Sequence, residues 1–349
     1  MADMTPPPGA AAFLDVHGWG GAQILPVAGD ASFRRYFRAI ESAEQGGRQA
    51  ILMDAPPPHE DPRPFIAIAE WLVERDFAAP AILACDLDQG LVLIEDFGDD
   101  RLREAVDAAP ADELSLYGPA IDLLVRLRAE PAGPVPPYDR AVLKREAGLF
   151  VEWYCPAVGV EPDLAGWAAA WEAVFDHAIA ETPVTVLRDY HAENLMLVGP
   201  ARSLGLLDFQ DALAGHPAYD LVSLLQDARR TVDPTVEAAM LERYRAATDA
   251  NAGFMDAYHV LGAQRNAKIL GIFTRLWQRD GKPHYPTMCP RVWAYLERDL
   301  AQPVMAPVAA WFAANVPSAL RGDPLALGAR PASRRSAPSR VAPSPRRRW

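Results

Sequence analysis

Leu187-Arg188-Asp189-Tyr190-His191-Ala192-Glu193-Asn194 and, shortly after, Leu206-Leu207-Asp208-Phe209-Gln210-Asp211 decide how this chain is read. Asn194 follows Asp189 by five residues, and Asp208 follows Asn194 by fourteen. Phosphoryl transfer needs little covalent help: a carboxylate to orient the attacking hydroxyl, and oxygen ligands to hold Mg²⁺ on the phosphates. Asp189 suits the first task; Asn194 and Asp208 suit the second. Turn caps and a surface carboxylate would explain the residue types alone. The surroundings favour a site. Val184-Thr185-Val186-Leu187 and Leu195-Met196-Leu197-Val198 read as short strands on either side of the Asp189 loop, and a third, 204–207, ends on Asp208. Strand ends lining a cleft are where such sites lie, and the kinase loop pattern meets its context here.

Upstream, Gly29-Asp30-Ala31-Ser32-Phe33-Arg34-Arg35-Tyr36-Phe37-Arg38 begins as a turn and becomes extended and aromatic, and Gln45-Gly46-Gly47 breaks the hairpin it starts. Ala50-Ile51-Leu52-Met53 and Leu91-Val92-Leu93-Ile94 are further strands. Between them Phe65, Ile68, Ala69, Leu72 and Val73 recur at helical spacing over 65–77. This half predicts a small sheet with one helix against it. Beyond Gly98 the pattern turns helical, at 113–128, 140–154, 167–179 and most of 219–311. The expected fold is α+β and bilobal. Residues 1–20 form an N-terminal extension, 21–97 a front lobe with a small antiparallel sheet, 98–327 a larger, mainly helical back lobe, and 328–349 a basic tail.

The net charge of −12 hides an asymmetry, because residues 328–349 hold seven arginines and no acid. Without them the balance is −19, which argues against nucleic acid as a partner of the folded body. The Arg/Pro/Ser/Ala tail has too little apolar content to fold by itself. No apolar run reaches the roughly 20 residues of a membrane span, and the Pro-rich start lacks the pattern of a signal peptide. Cys85, Cys155 and Cys289 form neither a CxxC nor a disulfide framework, which fits a reducing cytoplasm. The seven histidines show no zinc-binding spacing.

The chain resembles the aminoglycoside phosphotransferase/choline kinase-like branch of the protein-kinase fold. Asp189-Tyr190-His191-Ala192-Glu193-Asn194 matches its Asp-x-His-x-x-Asn loop, Asp208-Phe209-Gln210-Asp211 its metal strand, and Gly215-His216-Pro217-Ala218-Tyr219-Asp220-Leu221 its Gly-x-Pro-x-x-Asp-Leu segment. Within that branch it is most similar to the anomeric amino-sugar kinases of cell-wall recycling, which act on the C1 hydroxyl of N-acetylmuramate and N-acetylglucosamine. That likeness lies in 29–38, in Met53-Asp54-Ala55-Pro56-Pro57 and in Arg265-Asn266-Ala267-Lys268-Ile269-Leu270-Gly271-Ile272-Phe273. The resemblance implies ATP and Mg²⁺ as cofactors and a small amino sugar as partner. It implies Asp189 as catalytic base, Asn194 and Asp208 as metal ligands, Asp220 as a brace of the catalytic loop, and His191 as a residue that orders it.

For the nucleotide it implies Ser32 and Phe33 at the phosphate-covering turn, Arg35, the third-strand slot at Met53, and the hinge at Glu95 and Phe97. Kinases carry a cation in that slot, paired with a helix Glu; Met53 is none. Arg35 and Arg38 are the nearest replacements, and Glu70 is placed to be the partner. For the sugar the expected residues are Arg145, Glu146, Trp153, Tyr154, Arg188 and Arg265, and the candidate cations for the lactyl carboxylate of N-acetylmuramate are Arg188, Arg145, Arg265 and Lys268. An aromatic cluster on a helix also fits plain core. Kinases of aminoglycosides, amino alcohols or other sugars are alternatives, as is a non-catalytic nucleotide-binding protein, given the missing lysine.

Overall fold

The computed structural model describes residues 5–27, 34–199 and 203–328. Ser32, Phe33 and the arginine-rich tail lie outside these. Five antiparallel strands form the front sheet: β1 Gln23–Val27, β2 Arg35–Ile40, β3 Gln49–Asp54, β4 Ile82–Asp86 and β5 Leu91–Glu95, in the order β1-β2-β3-β5-β4. Tyr36 lies opposite Met53, and Met53 opposite Val92. Because side chains alternate across a strand, this register sorts the sheet into two apolar faces. Phe37, Ala39, Ala50, Leu52, Leu91 and Leu93 pack on one face with Phe13 and Leu14 of helix α1, Ala10–Val16. Met53, Val92 and Ile94 face the other way, toward helix α2, Arg63–Val73, and the main core.

The sheet is therefore covered on both sides, where the sequence pattern predicted one helix. Helix α1 has only seven residues, too few for a periodic signal, and it lies in the segment expected as an extension. Helix α2 is shorter than the 65–77 pattern. Asp76 takes a left-handed φ of 58° and Phe77 turns back into the core.

The back lobe begins with α3, Leu102–Ala108, and α4, Glu113–Ala129. Helix α5, Arg140–Leu149, runs on into a π-helical turn, Phe150–Tyr154. At its centre lies the 25-residue helix Phe254–Gln278, buried on most sides. Gly271 on that helix permits the close crossing: a Cβ there would come within 2.3 Å of the Leu149 carbonyl oxygen. Two ribbons carry the Asp189 and Asp208 segments. Strand β6, Val184–Val186, pairs with β9, Leu213–Gly215, and β7, Leu195–Val198, pairs with β8, Ser203–Leu206. No helix of the described residues is long and apolar enough to cross a membrane.

The lobes share one apolar core and also meet through specific contacts. The Phe65 ring of α2 stacks on Phe209 at 5.0 Å, just beyond Asp208. The Leu206 N–H donates to Ala78 O at 2.7 Å. Phe97 lies over Gly205, where a Cβ would meet its ring at 2.7 Å.

Phe13 is 5% exposed on the α1 face of the sheet. Phe13→Ala should lower the unfolding free energy by roughly 3–5 kcal/mol, the usual loss for a buried aromatic. Urea titration measures it, and a loss under about 1 kcal/mol would separate α1 from the sheet core.

Candidate active site

The catalytic segment leaves β6 in a turn that only tertiary contacts can hold. Arg188 has a φ of 70°, which is costly for a residue with a Cβ. Asp220, near the start of the helix Ala218–Leu225, offsets that cost. Its two carboxylate oxygens accept the N–H groups of Leu187 at 2.7 Å and Arg188 at 2.8 Å. Ser223, one turn on, donates its hydroxyl to Arg188 O at 2.9 Å, and Arg265 donates to that hydroxyl at 2.8 Å. Tyr190 ties the segment to α4 by donating to Ala120 O at 2.7 Å.

This frame brings Asp189, Asn194 and Asp208 together. The Asn194 amide nitrogen donates to Asp189 O at 3.0 Å and lies 3.5 Å from an Asp208 carboxylate oxygen. Leu207 N–H donates to Asn194 O at 3.0 Å, coupling the two segments through backbone. Asp208 has a φ of 59° and accepts from Gln210 at 2.8 Å. Its side chain is open to solvent. The carboxyl is nonetheless pushed upward, first by displacement of bulk water around it and then by the Asp189 carboxylate. A carboxylate crowded by a like charge gains from a cation.

Among the described residues, no group of three His, Cys, Asp or Glu side chains is arranged to hold a metal ion. Asn194 and Asp208 provide oxygen donors of the kind Mg²⁺ takes, with the remaining positions left to water and phosphate oxygens. His191 is 3% exposed, and its Nε2 lies 3.0 Å from an Arg229 nitrogen. Burial, followed by the Arg229 charge, pushes the ring down to about 3, so it stays neutral and accepts from Arg229. Arg229 also pairs with Glu193 at 2.9 Å, and Glu193 with Arg103 of α3.

Three arginines at and within β2 go to three different places. Arg35 points away from the cleft face and donates to Asp54 at 2.8 Å. Arg38 forks onto the hinge, with Asp96 at 2.6 Å, Asp99 at 2.9 Å and Gly98 O at 3.4 Å. Arg34, one residue before β2, pairs with Glu60 at 3.6 Å and acts electrostatically on Asp208. Glu60 precedes α2. The expected partner Glu70 is exposed on the far side of that helix. Met53 is fully buried in the core. Glu95 is exposed, and its carboxylate accepts from Ala81 N–H at 3.3 Å.

The expected sugar residues divide. Glu146 of α5 is buried and receives Arg188, the Tyr138 hydroxyl and, at 3.1 Å, Lys268. Arg145 is exposed one residue earlier, and Trp153 is half-buried. Tyr154 differs from expectation. It is wholly buried, stacked on Phe150 at 5.1 Å, with its hydroxyl bonded to Leu320 O, Gly322 O and Trp293. Its ring belongs to an aromatic core with Trp167 and Phe312. Arg265 is 4% exposed and spends its charge behind the catalytic turn, against Ser223. Sequence reasoning missed Arg34 with Glu60 and the Arg38 fork. The parity of β2 side chains was the available signal, but it becomes usable only once the register with β3 is known.

A family described as "Phosphotransferase enzyme family" matches residues 23–258. The chain is similar to the N-acetylmuramate/N-acetylglucosamine kinase of Caulobacter vibrioides, at 39% identity over 353 residues covering 88% of this chain and 96% of that one. It is also similar to the protein of that name from Pseudomonas aeruginosa, at 40% identity covering 82% and 87%. In fold it resembles a choline/ethanolamine kinase family protein from Mesorhizobium loti, with a TM-score of 0.58 and 13% identity over 89% of this chain and 96% of that one.

Burial, the largest influence, pushes the Asp220 carboxyl up to about 7, against the pull of its two backbone donors and Arg265. A group raised in the folded state contributes stability that is complete below its unfolded value of 3.8 and is lost as pH rises through about 7. The stability difference between wild type and Asp220→Asn should therefore fall as pH rises between those values. Urea unfolding at a series of pH values measures it, and a flat difference would remove burial as the dominant influence on Asp220.

Proposed function

Because the chain belongs to the phosphotransferase enzyme family, we propose that it transfers the γ-phosphoryl group of Mg·ATP to the anomeric hydroxyl of N-acetylmuramate and of N-acetylglucosamine. The observation that carries the reading is the convergence of Asp189, Asn194 and Asp208 on one cleft, in a chain 35–40% identical to proteins bearing that name.

Asp189 accepts the hydrogen bond of the C1 hydroxyl and takes its proton. The sugar oxygen forms the new bond to phosphorus as the bond to the bridging oxygen breaks, and ADP leaves with that electron pair. Asn194 and Asp208 would hold Mg²⁺, which would supply charge neutralisation at the phosphates. Catalysis is mainly positioning and charge stabilisation. Asp220 holds the turn that aims Asp189, and neutral His191 orders the loop without carrying a proton.

Arg34 takes the task that a third-strand lysine has in other kinases. It shares the sheet face of Tyr36, which lies opposite Met53, and it is oriented by Glu60 at the entry to α2. Arg35 is held by Asp54 and Arg38 by the hinge carboxylates. The backbone of the hinge at Glu95 and Phe97 receives adenine.

Incubation with Mg·ATP and each of N-acetylmuramate, N-acetylglucosamine, kanamycin and choline should give an acid-labile phosphate ester with the two sugars only. Transfer to kanamycin or choline alone would replace the sugar reading, and transfer to none would leave a nucleotide-binding protein without catalysis. Asp189→Asn should lower kcat by about 10²–10⁴-fold, the contribution of a positioned base, while nucleotide still binds. Arg34→Met should weaken Mg·ADP binding, measured by calorimetry, by about tenfold (~1.4 kcal/mol). An unchanged affinity would return the phosphate-binding task to another cation.

A further inference from the structure

Beside the catalytic carboxylate lies a group of charges that do not balance. Arg188 and Lys268 both reach the same oxygen of Glu146, Oε1. The other oxygen, Oε2, takes the hydroxyl of Tyr138, with Gln264 at 3.5 Å. Within the cluster one carboxylate thus serves two cations, and the further carboxylate that acts on Arg188 is its neighbour Asp189, which is assigned to the acceptor hydroxyl.

The cluster is largely shielded from water but not closed. The side chains of Arg188, Lys268 and Glu146 are 17%, 13% and 10% exposed. A charge so placed is weakly screened and acts strongly on an ion that reaches it. Burial alone would push the Glu146 carboxyl up, but Lys268 and Arg188 hold it below its ordinary value, so it stays ionised. Lys268 is further placed by the Tyr219 hydroxyl, 3.4 Å away. Arg188 is less free, since it also donates to Asp211 O at 3.0 Å and lies over the Tyr138 ring. Lys268 is therefore the cation with capacity left for a ligand.

We infer that Glu146, Arg188 and Lys268 form an anion subsite that recognises the carboxylate of an acidic acceptor sugar, with Lys268 as the specificity-determining residue. This rests on the amino-sugar kinase reading. Of the two proposed acceptors only N-acetylmuramate carries a carboxylate, so the subsite separates them. Glu146 keeps the two cations from repelling each other and sets their spacing. Without it they would lose their fixed positions.

The test is calorimetric binding of N-acetylmuramate and of its carboxamide, which has nearly the same shape and no charge, in the presence of Mg·ADP. Wild type should bind the acid about tenfold more tightly than the amide, and Lys268→Met should narrow that ratio to about twofold, whereas Lys268→Arg should keep most of it. Equal binding of acid and amide by wild type, or an unchanged ratio in Lys268→Met, overturns the subsite. The wild-type comparison decides the matter even where a variant fails to fold. Phosphorylation of N-acetylglucosamine, which has no carboxylate, reports on the kinase reading alone. A wild type that phosphorylates it yet binds acid and amide equally loses only the subsite.

Discussion

Two hydrogen bonds from the backbone of Leu187 and Arg188 to the buried carboxylate of Asp220 hold together most of what is distinctive in this cleft. They keep Arg188 in a left-handed conformation that the residue would not adopt unaided. The Arg188 side chain then runs to Glu146, while the Asp189 carbonyl accepts the Asn194 amide and the Asp189 carboxylate acts on Asp208. Ser223 and Arg265 close the arrangement from behind by holding the Arg188 carbonyl. A buried carboxylate is costly, and the pair of N–H donors and a buried guanidinium nearby offset only part of that cost.

The front lobe shows how one strand distributes its charges. Arg34, Arg35 and Arg38 lie within five residues of one another, yet they serve the α2 entry, the β3 end and the hinge respectively. Alternation along the strand separates Arg35 from the other two, and distance along it separates Arg34 from Arg38. The position across the ladder where a lysine would sit is Met53, which adds to the apolar core between sheet and α2 instead. The acidic partner of Arg34, Glu60, lies before α2 rather than in its body.

Much of the fold was readable because its signals are local. The strands at 50–53 and 91–94, the helical spacing of 65–73, and the short strands around Asp189 each fall within one window of sequence. Helix α1 and strands β1, β4 and β9 were not read, because such short elements hold little periodicity of their own; the equally short β6 stood out only beside the Asp189 loop. At the site, Asp189, Asn194, Asp208 and Asp220 could be singled out from spacing together with family likeness, and the fold brings their segments together. Tyr154 and Arg265 were not correctly legible, because an aromatic or a cation on a helix looks the same in sequence whether it faces a ligand or the core. Only the packing of Phe150, Trp167 and Trp293 around Tyr154, and of Ser223 against Arg265, distinguishes the two cases.

By itself the sequence determined the reaction chemistry and the two-part architecture, since those depend on residue types at short separations and on periodic patterns within single elements. Only the tertiary structure decided which cation serves which carboxylate. Glu146 and Lys268 are 122 residues apart in the chain, and Arg34 and Asp208 are 174 apart. Pairings over such distances depend on strand register, helix crossing and the exclusion of water, which arise from the folded chain as a whole and leave no mark in any one stretch of it.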